Sequence, residues 1–233
     1  MGVEFGKRYE FGESSYICTN YMSAIKFFHA ALTGDIVNST QLTPEMEKAL
    51  IAALERVLSL YLIEFYRGDS FQVYMKDPAE SLRVALLCRA LAISLTAAED
   101  EPALSDIRIS IGIGTVVTPV RTPGTARGEA FLLSGRRFDE IQQTDQRLSI
   151  VSGKPIADIA LEVMADYIDA IYKGMTAKQA DAIARLLEGR AQQEVALELN
   201  KSKSTVSQLV SAGRWPEIEK IIQQFKTLIN QLA

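Results

Sequence analysis

Apolar residues crowd positions 25–32 and stop at Thr33-Gly34-Asp35, which predicts a buried strand ending in a turn. Thr43-Pro44-Glu45 then opens a helix. Thr43 can cap it, Pro44 suits the first helical position, and Glu45 and Glu47 favour the positive end of the dipole. Met46, Leu50, Leu54, Val57, Leu58 and Tyr61 give that helix one apolar face. Residues 62–67 and 70–75 read as two strands around a Gly68-Asp69 turn. Asp77-Pro78 repeats the cap-plus-proline start, and the helix after it carries Leu82, Ala85, Leu86, Arg89 and Ile93. Arg89 is expected to send its charged head outward along an apolar stem. Residues 107–116 alternate apolar and polar as a strand does, 119–128 form a loop, and 129–143 a helix. The order β-α-β-β-α-β-α predicts an α+β fold of ferredoxin-like type, with helices packed on one face of the sheet.

After about residue 150 the periodicity is helical throughout. Helices are expected over 156–172, from the capping box Thr176-Ala177-Lys178-Gln179 to Gly189, over 191–199, from the cap Ser202 to Val210, and over 216–232. Trp215 is expected to pack the last helix against the others. The domain reading is a tail at 1–24, an α/β domain at 25–153 and an all-α domain at 154–233. Residues 1–21 hold Gly2, Gly6 and Gly12 without an apolar period, so they read either as a tail or as an extension ahead of Met22.

Composition narrows the chemistry. The 233 residues include one histidine, His29, and two cysteines, Cys18 and Cys88. That excludes a Cys/His zinc site, a disulfide framework and catalysis by two histidines, and it leaves oxygen ligands for any metal. His29, inside an apolar strand, reads as a core residue. No apolar run reaches ~18 residues, so no membrane span is expected. The polar start lacks a signal-peptide core, so a cytoplasmic protein with reduced cysteines is expected.

The net charge of −4 is unevenly spread. From residue 174 on, lysines and arginines outnumber carboxylates by two, so the front of the chain is at −6. Within that basic end, Val195, Leu199, Val206 and Leu209 predict a core between two short helices, with the small Ala196 at their crossing. Lys203, Ser204, Thr205, Ser207 and Gln208 fall on the outer face of the second helix, with Lys201 in the turn before it. Such groups suit phosphates and base edges, and Lys201 and Lys203 flank a helix N-terminus. The stretch 192–210 resembles the helix-turn-helix of sigma-factor-like and LuxR-like domains, which implies DNA as a partner. The small excess of positive charge implies a homodimer reading two half-sites. A plain helical bundle for dimerisation is the other reading of the same pattern.

Two front segments carry sharper chemistry: Thr33-Gly34-Asp35-Ile36-Val37-Asn38-Ser39-Thr40 and Arg67-Gly68-Asp69-Ser70-Phe71. If the first strand lies beside the hairpin, Asp35 and Asp69 reach one point. With the Ile36 carbonyl they make a hard oxygen site for Mg²⁺ or Mn²⁺. Asn38, Ser39 and Thr40 lead toward a helix and could offer donors to a phosphate. Turn formation and capping are the plain alternative for both aspartates.

These segments resemble the catalytic domain of class III nucleotide cyclases, which implies Asp35 and Asp69 as metal ligands. Gly128-Glu129-Ala130-Phe131-Leu132-Leu133-Ser134-Gly135-Arg136 resembles the helix that carries the transition-state arginine there, which implies Arg136 for that role. The chain departs from the pattern at Leu132, where the family has asparagine, and at Asn38, where it has glycine. Phe65 or Tyr66 stands where the family has its base-selecting lysine. The first segment and Gly-Asp-Ser-Phe resemble the SatD-like family more closely. Two functions follow: a DNA-binding transcriptional regulator with a nucleotide- or metal-sensing front domain, or a specialised nucleotide cyclase. Arg136 and Arg137 also read as a solvated helix face.

Overall fold

The computed structural model describes residues 28–66, 68–96 and 103–232; the expected tail at 1–24 and the start of the first expected strand lie outside them. The elements in order are β1 (His29–Ile36), α1 (Pro44–Leu58), β2 (Leu62–Tyr66), β3 (Ser70–Met75), α2 (Ser81–Leu95), β4 (Ile107–Gly114), α3 (Glu129–Ile141), β5 (Leu148–Val151), α4 (Pro155–Lys173), α5 (Ala177–Leu187), α6 (Gln192–Glu198), α7 (Lys203–Ala212) and α8 (Trp215–Leu232). The chain is thus a mixed α+β protein. Among the described residues no helix is long and apolar enough to cross a membrane.

The sheet order is β2-β3-β1-β4-β5. β1 runs antiparallel to β3 and β4, and β2 antiparallel to β3. The first four strands with α1 and α2 make the split β-α-β arrangement expected from their order. β5 pairs parallel to β4, with α3 as the crossover such a pairing needs. This strand was not expected: at four residues it is too short to show a period.

Two other expectations are corrected. Thr33-Gly34-Asp35 is not a turn but lies within β1. A Cβ on Gly34 would stand 2.7 Å from the Phe71 ring, so this glycine marks close packing against β3. Helices also cover both faces of the sheet. Ala30, Leu32 and Ile36 point with Ile107, Ile109 and Ile111 into the core under α1 and α2. On the other face Ala31 and Tyr74 meet Ala130 and Phe131 of α3. Gly112 permits this second layer, since a Cβ there would come within 2.1 Å of the Ala130 carbonyl oxygen.

The main core does not stop at residue 154. It runs from the sheet through α2 into Leu161 and Ile168 of α4, Ile183 and Leu187 of α5, and Ile218 and Phe225 of α8. Helix α2 is buried almost all round, as an element between two layers must be. That is why Arg89 does not reach solvent. Its side chain is fully buried, 2.7 Å from Asp106 ahead of β4, paired with Asp169 of α4, and stacked over the Tyr172 ring. Burial works to lower the Arg89 pKa, but Asp106 and Asp169 more than offset it and hold the group above its ordinary value. Helices α6 and α7 share a smaller core of Val195, Ala196, Val206 and Val210 with Ala182 and Leu186 of α5. Trp215 lies half-buried between the two cores.

Arg89→Met leaves two carboxylates without their counter-charge, and a loss of about 3–5 kcal/mol is expected. The exposed Arg56–Glu188 pair serves as control, Arg56→Met costing under about 1 kcal/mol. Urea midpoints of the two variants check this; equal shifts would contradict it. His29 gives a second test. Its Nδ1 lies 3.1 Å from the Tyr74 hydroxyl, and burial pushes its pKa below the ordinary value. The fold therefore prefers the neutral ring, so stability falls as pH drops through about 6.5 and levels off below the depressed folded value. The single histidine is expected to titrate below about 6.5 by NMR, and His29→Asn to remove this part of the pH dependence.

Candidate functional site

The end of β1 sets Asp35 beside the β2–β3 turn that carries Asp69. Asp35 lies opposite Ser70 of β3 and Arg108 of β4. Asp69, in the β2–β3 turn, accepts the Ile36 amide on its main-chain carbonyl at 2.9 Å. Its carboxylate accepts the hydroxyls of Ser39 at 3.0 Å and Ser70 at 3.3 Å. Burial pushes the Asp35 carboxyl above its ordinary range. Arg108, Gln142 and Arg147 pull it back, and the charge of Asp69 adds to the rise.

Arg108 decides what this cluster can hold. Its Nη1 stands 3.1 and 3.4 Å from the two Asp35 carboxylate oxygens, and both side chains are mostly buried. Asp35 therefore already has a cation. Among the described residues no three or more His, Cys, Asp or Glu side chains gather into a metal-binding group. Two carboxylates and the Ile36 carbonyl, one carboxylate being held by Arg108, do not fit a resident Mg²⁺ or Mn²⁺.

The remaining front residues are placed as follows. Asn38 takes a left-handed conformation and donates its side-chain amide to the Leu104 carbonyl at 3.2 Å. Ser39 spends its hydroxyl on Asp69. Thr40 is exposed. The three enter a single 3-10 turn, Ser39–Gln41, and α1 begins only at Pro44 under the Thr43 cap, so these residues do not open a long helix. Arg136 is exposed on α3. Ser134 of the same helix bonds Thr33 of β1 at 2.7 Å, so Arg136, two residues on, points away from the sheet. One chain does not bring Arg136 to Asp35 and Asp69.

At the other end of the chain, Lys201, Lys203, Ser204, Thr205, Ser207 and Gln208 are all exposed. The Ser202 hydroxyl accepts the Thr205 amide at 3.0 Å and caps α7. The cations around α7 are spent: Arg185 and Arg190 face Glu198, and Arg214 faces Glu217. Among the described residues neither Lys201 nor Lys203 stands in an ion pair, and α7 itself contains no acidic residue.

Sequence reasoning missed Arg108, Gln142 and Arg147. The alternation at 107–111 puts Arg108 on the polar face of its strand, but only the β1–β4 register sets it opposite Asp35.

No family model matches the chain, and no curated protein matches it in sequence. Two solved structures of a bacterial light-regulated adenylyl cyclase align with 53% of the chain, at 17% and 15% identity and TM-scores of 0.40 and 0.39. The chain spans 42% of the length of each.

The competition at Asp35 is testable. Mn²⁺ is expected to leave the Tm of the parent chain unchanged and to raise that of Arg108→Ala, in which both carboxylates are free for a cation. Equal stabilisation of the two by Mn²⁺ would show that Arg108 is no competitor.

Proposed function

We propose that this chain is a DNA-binding regulator that contacts DNA through α7, with α6 and α7 acting as a helix-turn-helix. One observation carries the reading: α7 offers Lys203, Ser204, Ser207 and Gln208 to solvent on a helix free of carboxylates, with Lys201 at its entrance. Lysines at a capped helix start suit backbone phosphates, and the hydroxyls and Gln208 suit base edges. Val206 and Val210 anchor the inner face, so the outer face can engage a groove without unfolding the pair. A homodimer supplies the second half-site that two lysines alone would need. In this reading the sheet unit is the sensing part, and the SatD-like segments around Asp35 and Asp69 belong to it.

A cyclase-type activity is the second reading, favoured by the meeting of Asp35 and Asp69 at one strand end. The pairing of Arg108 with Asp35, the exposed Leu132 where the family has asparagine, and the outward Arg136 weigh against it. No cyclic product from ATP or GTP with Mn²⁺ is expected.

Fluorescence anisotropy with duplex DNA tests the first reading. Affinity is expected to fall steeply with salt, and Lys201→Ala/Lys203→Ala to weaken binding evenly across sequences while reducing the log–log salt slope by about 2. Both lysines are exposed, so Tm is expected to hold. Salt-independent binding, or a variant that binds like the parent, would sink the proposal.

A further inference from the structure

A cleft lies at the end of the sheet, with no residue of α7 in its lining. It encloses about 600 Å³, within the range of small-molecule sites. Its walls come from both parts of the chain: Asn38 after β1, Leu104 and Asp106 before β4, Arg147 before β5, and Tyr172 and Met175 at the end of α4. Arg147 is the unusual member. Its main chain is clamped, the amide donating to Asp169 at 2.8 Å and the carbonyl accepting Ile109 at 2.8 Å. Its guanidinium, in contrast, has a buried Nη1 with no hydrogen-bond partner. A buried charged donor left unpaired is costly, and an oxyanion is one partner that would satisfy it.

The electrostatics of the cleft select the sign of that ligand. Asp106 on its wall is already neutralised by Arg89, at 3.1 and 2.7 Å from its two carboxylate oxygens. Asp35, within electrostatic reach of Arg147, is matched by Arg108. Lys173 on the rim faces only the exposed Asp145. Arg147, in contrast, stands in no ion pair among the described residues. We propose that this cleft binds a small molecule with an oxyanion head, phosphate or carboxylate, on Arg147, and a partly apolar body of up to mononucleotide size against Leu104, Tyr172 and Met175. The site is separate from α7, and its test uses no DNA, so it stands or falls apart from the reading above.

The test is calorimetry and thermal scanning of the full chain with AMP, GMP, inorganic phosphate and benzoate, and with uncharged adenosine as control. The phosphate and benzoate arms distinguish the two head groups. At least one anionic probe is expected to bind saturably and raise Tm, while adenosine does neither. Arg147→Gln is expected to weaken that probe by about tenfold or more. Ala177→Trp keeps Arg147 but fills the cleft, and is expected to abolish binding; it decides the matter if circular dichroism shows Arg147→Gln unfolded. No saturable binding of any anionic probe, equal binding of adenosine, or parent-like binding by either folded variant would overturn the proposal.

Discussion

One buried guanidinium sets the relation between the sheet and the helices that follow it. Arg89 sits at the centre of α2, with Asp106 on one side and Asp169 on the other. A lone buried charge is intolerable, so the segment entering β4 and the middle of α4 must lie where their carboxylates reach it. Asp169 then uses its second oxygen on the amides of Arg147 and Leu148, which starts β5. A single ion-pair group thus fixes two strand starts and one helix against α2. Its net contribution to stability is modest, because desolvation offsets most of the attraction. What it supplies is register: an apolar replacement could fill the same space but would not say which turn of α4 belongs there.

That constraint reaches the cleft and α7. Asp106 and Tyr172, both in contact with Arg89, are also walls of the cleft, so its shape is inherited from the buried network. Helix α5 leaves from the same corner, packs on α2, and carries Ala182 and Leu186 into the small core under α6 and α7. A ligand that shifts the 172–178 corner would act on the base of the α6–α7 pair through packed side chains.

Features with a local cause were legible in the sequence. The Thr43 hydroxyl accepts the Met46 amide, the Thr176–Gln179 box closes as its spacing requires, and Ser202 caps α7. The nearness of the Asp69 turn to the end of β1 was legible as well, because it follows from the hairpin lying beside β1. What stayed hidden depends on contacts distant in sequence. Gly34 looked like a turn because nothing nearby announces the Phe71 ring. Arg89 looked like an outward residue because a second layer, α4 and α5, encloses α2 only after residue 155. Asp35 looked like a metal ligand because its counter-charge comes from β4, seventy-three positions on.

The last point bears on what the sheet end can do. Asp35 and Asp69 bring two negative charges, and Arg108 and Arg147 bring two positive ones to the same end. A divalent cation finds no excess of negative charge there, and it would have to displace a guanidinium held in a cross-strand pair with poor access to water. The two arginines differ in what they hold. Arg108 is spent on Asp35, whereas Arg147 lines the cleft and has a buried Nη1 without a hydrogen-bond partner. In the proposed reading this arrangement suits recognition of an oxyanion better than binding of a divalent cation.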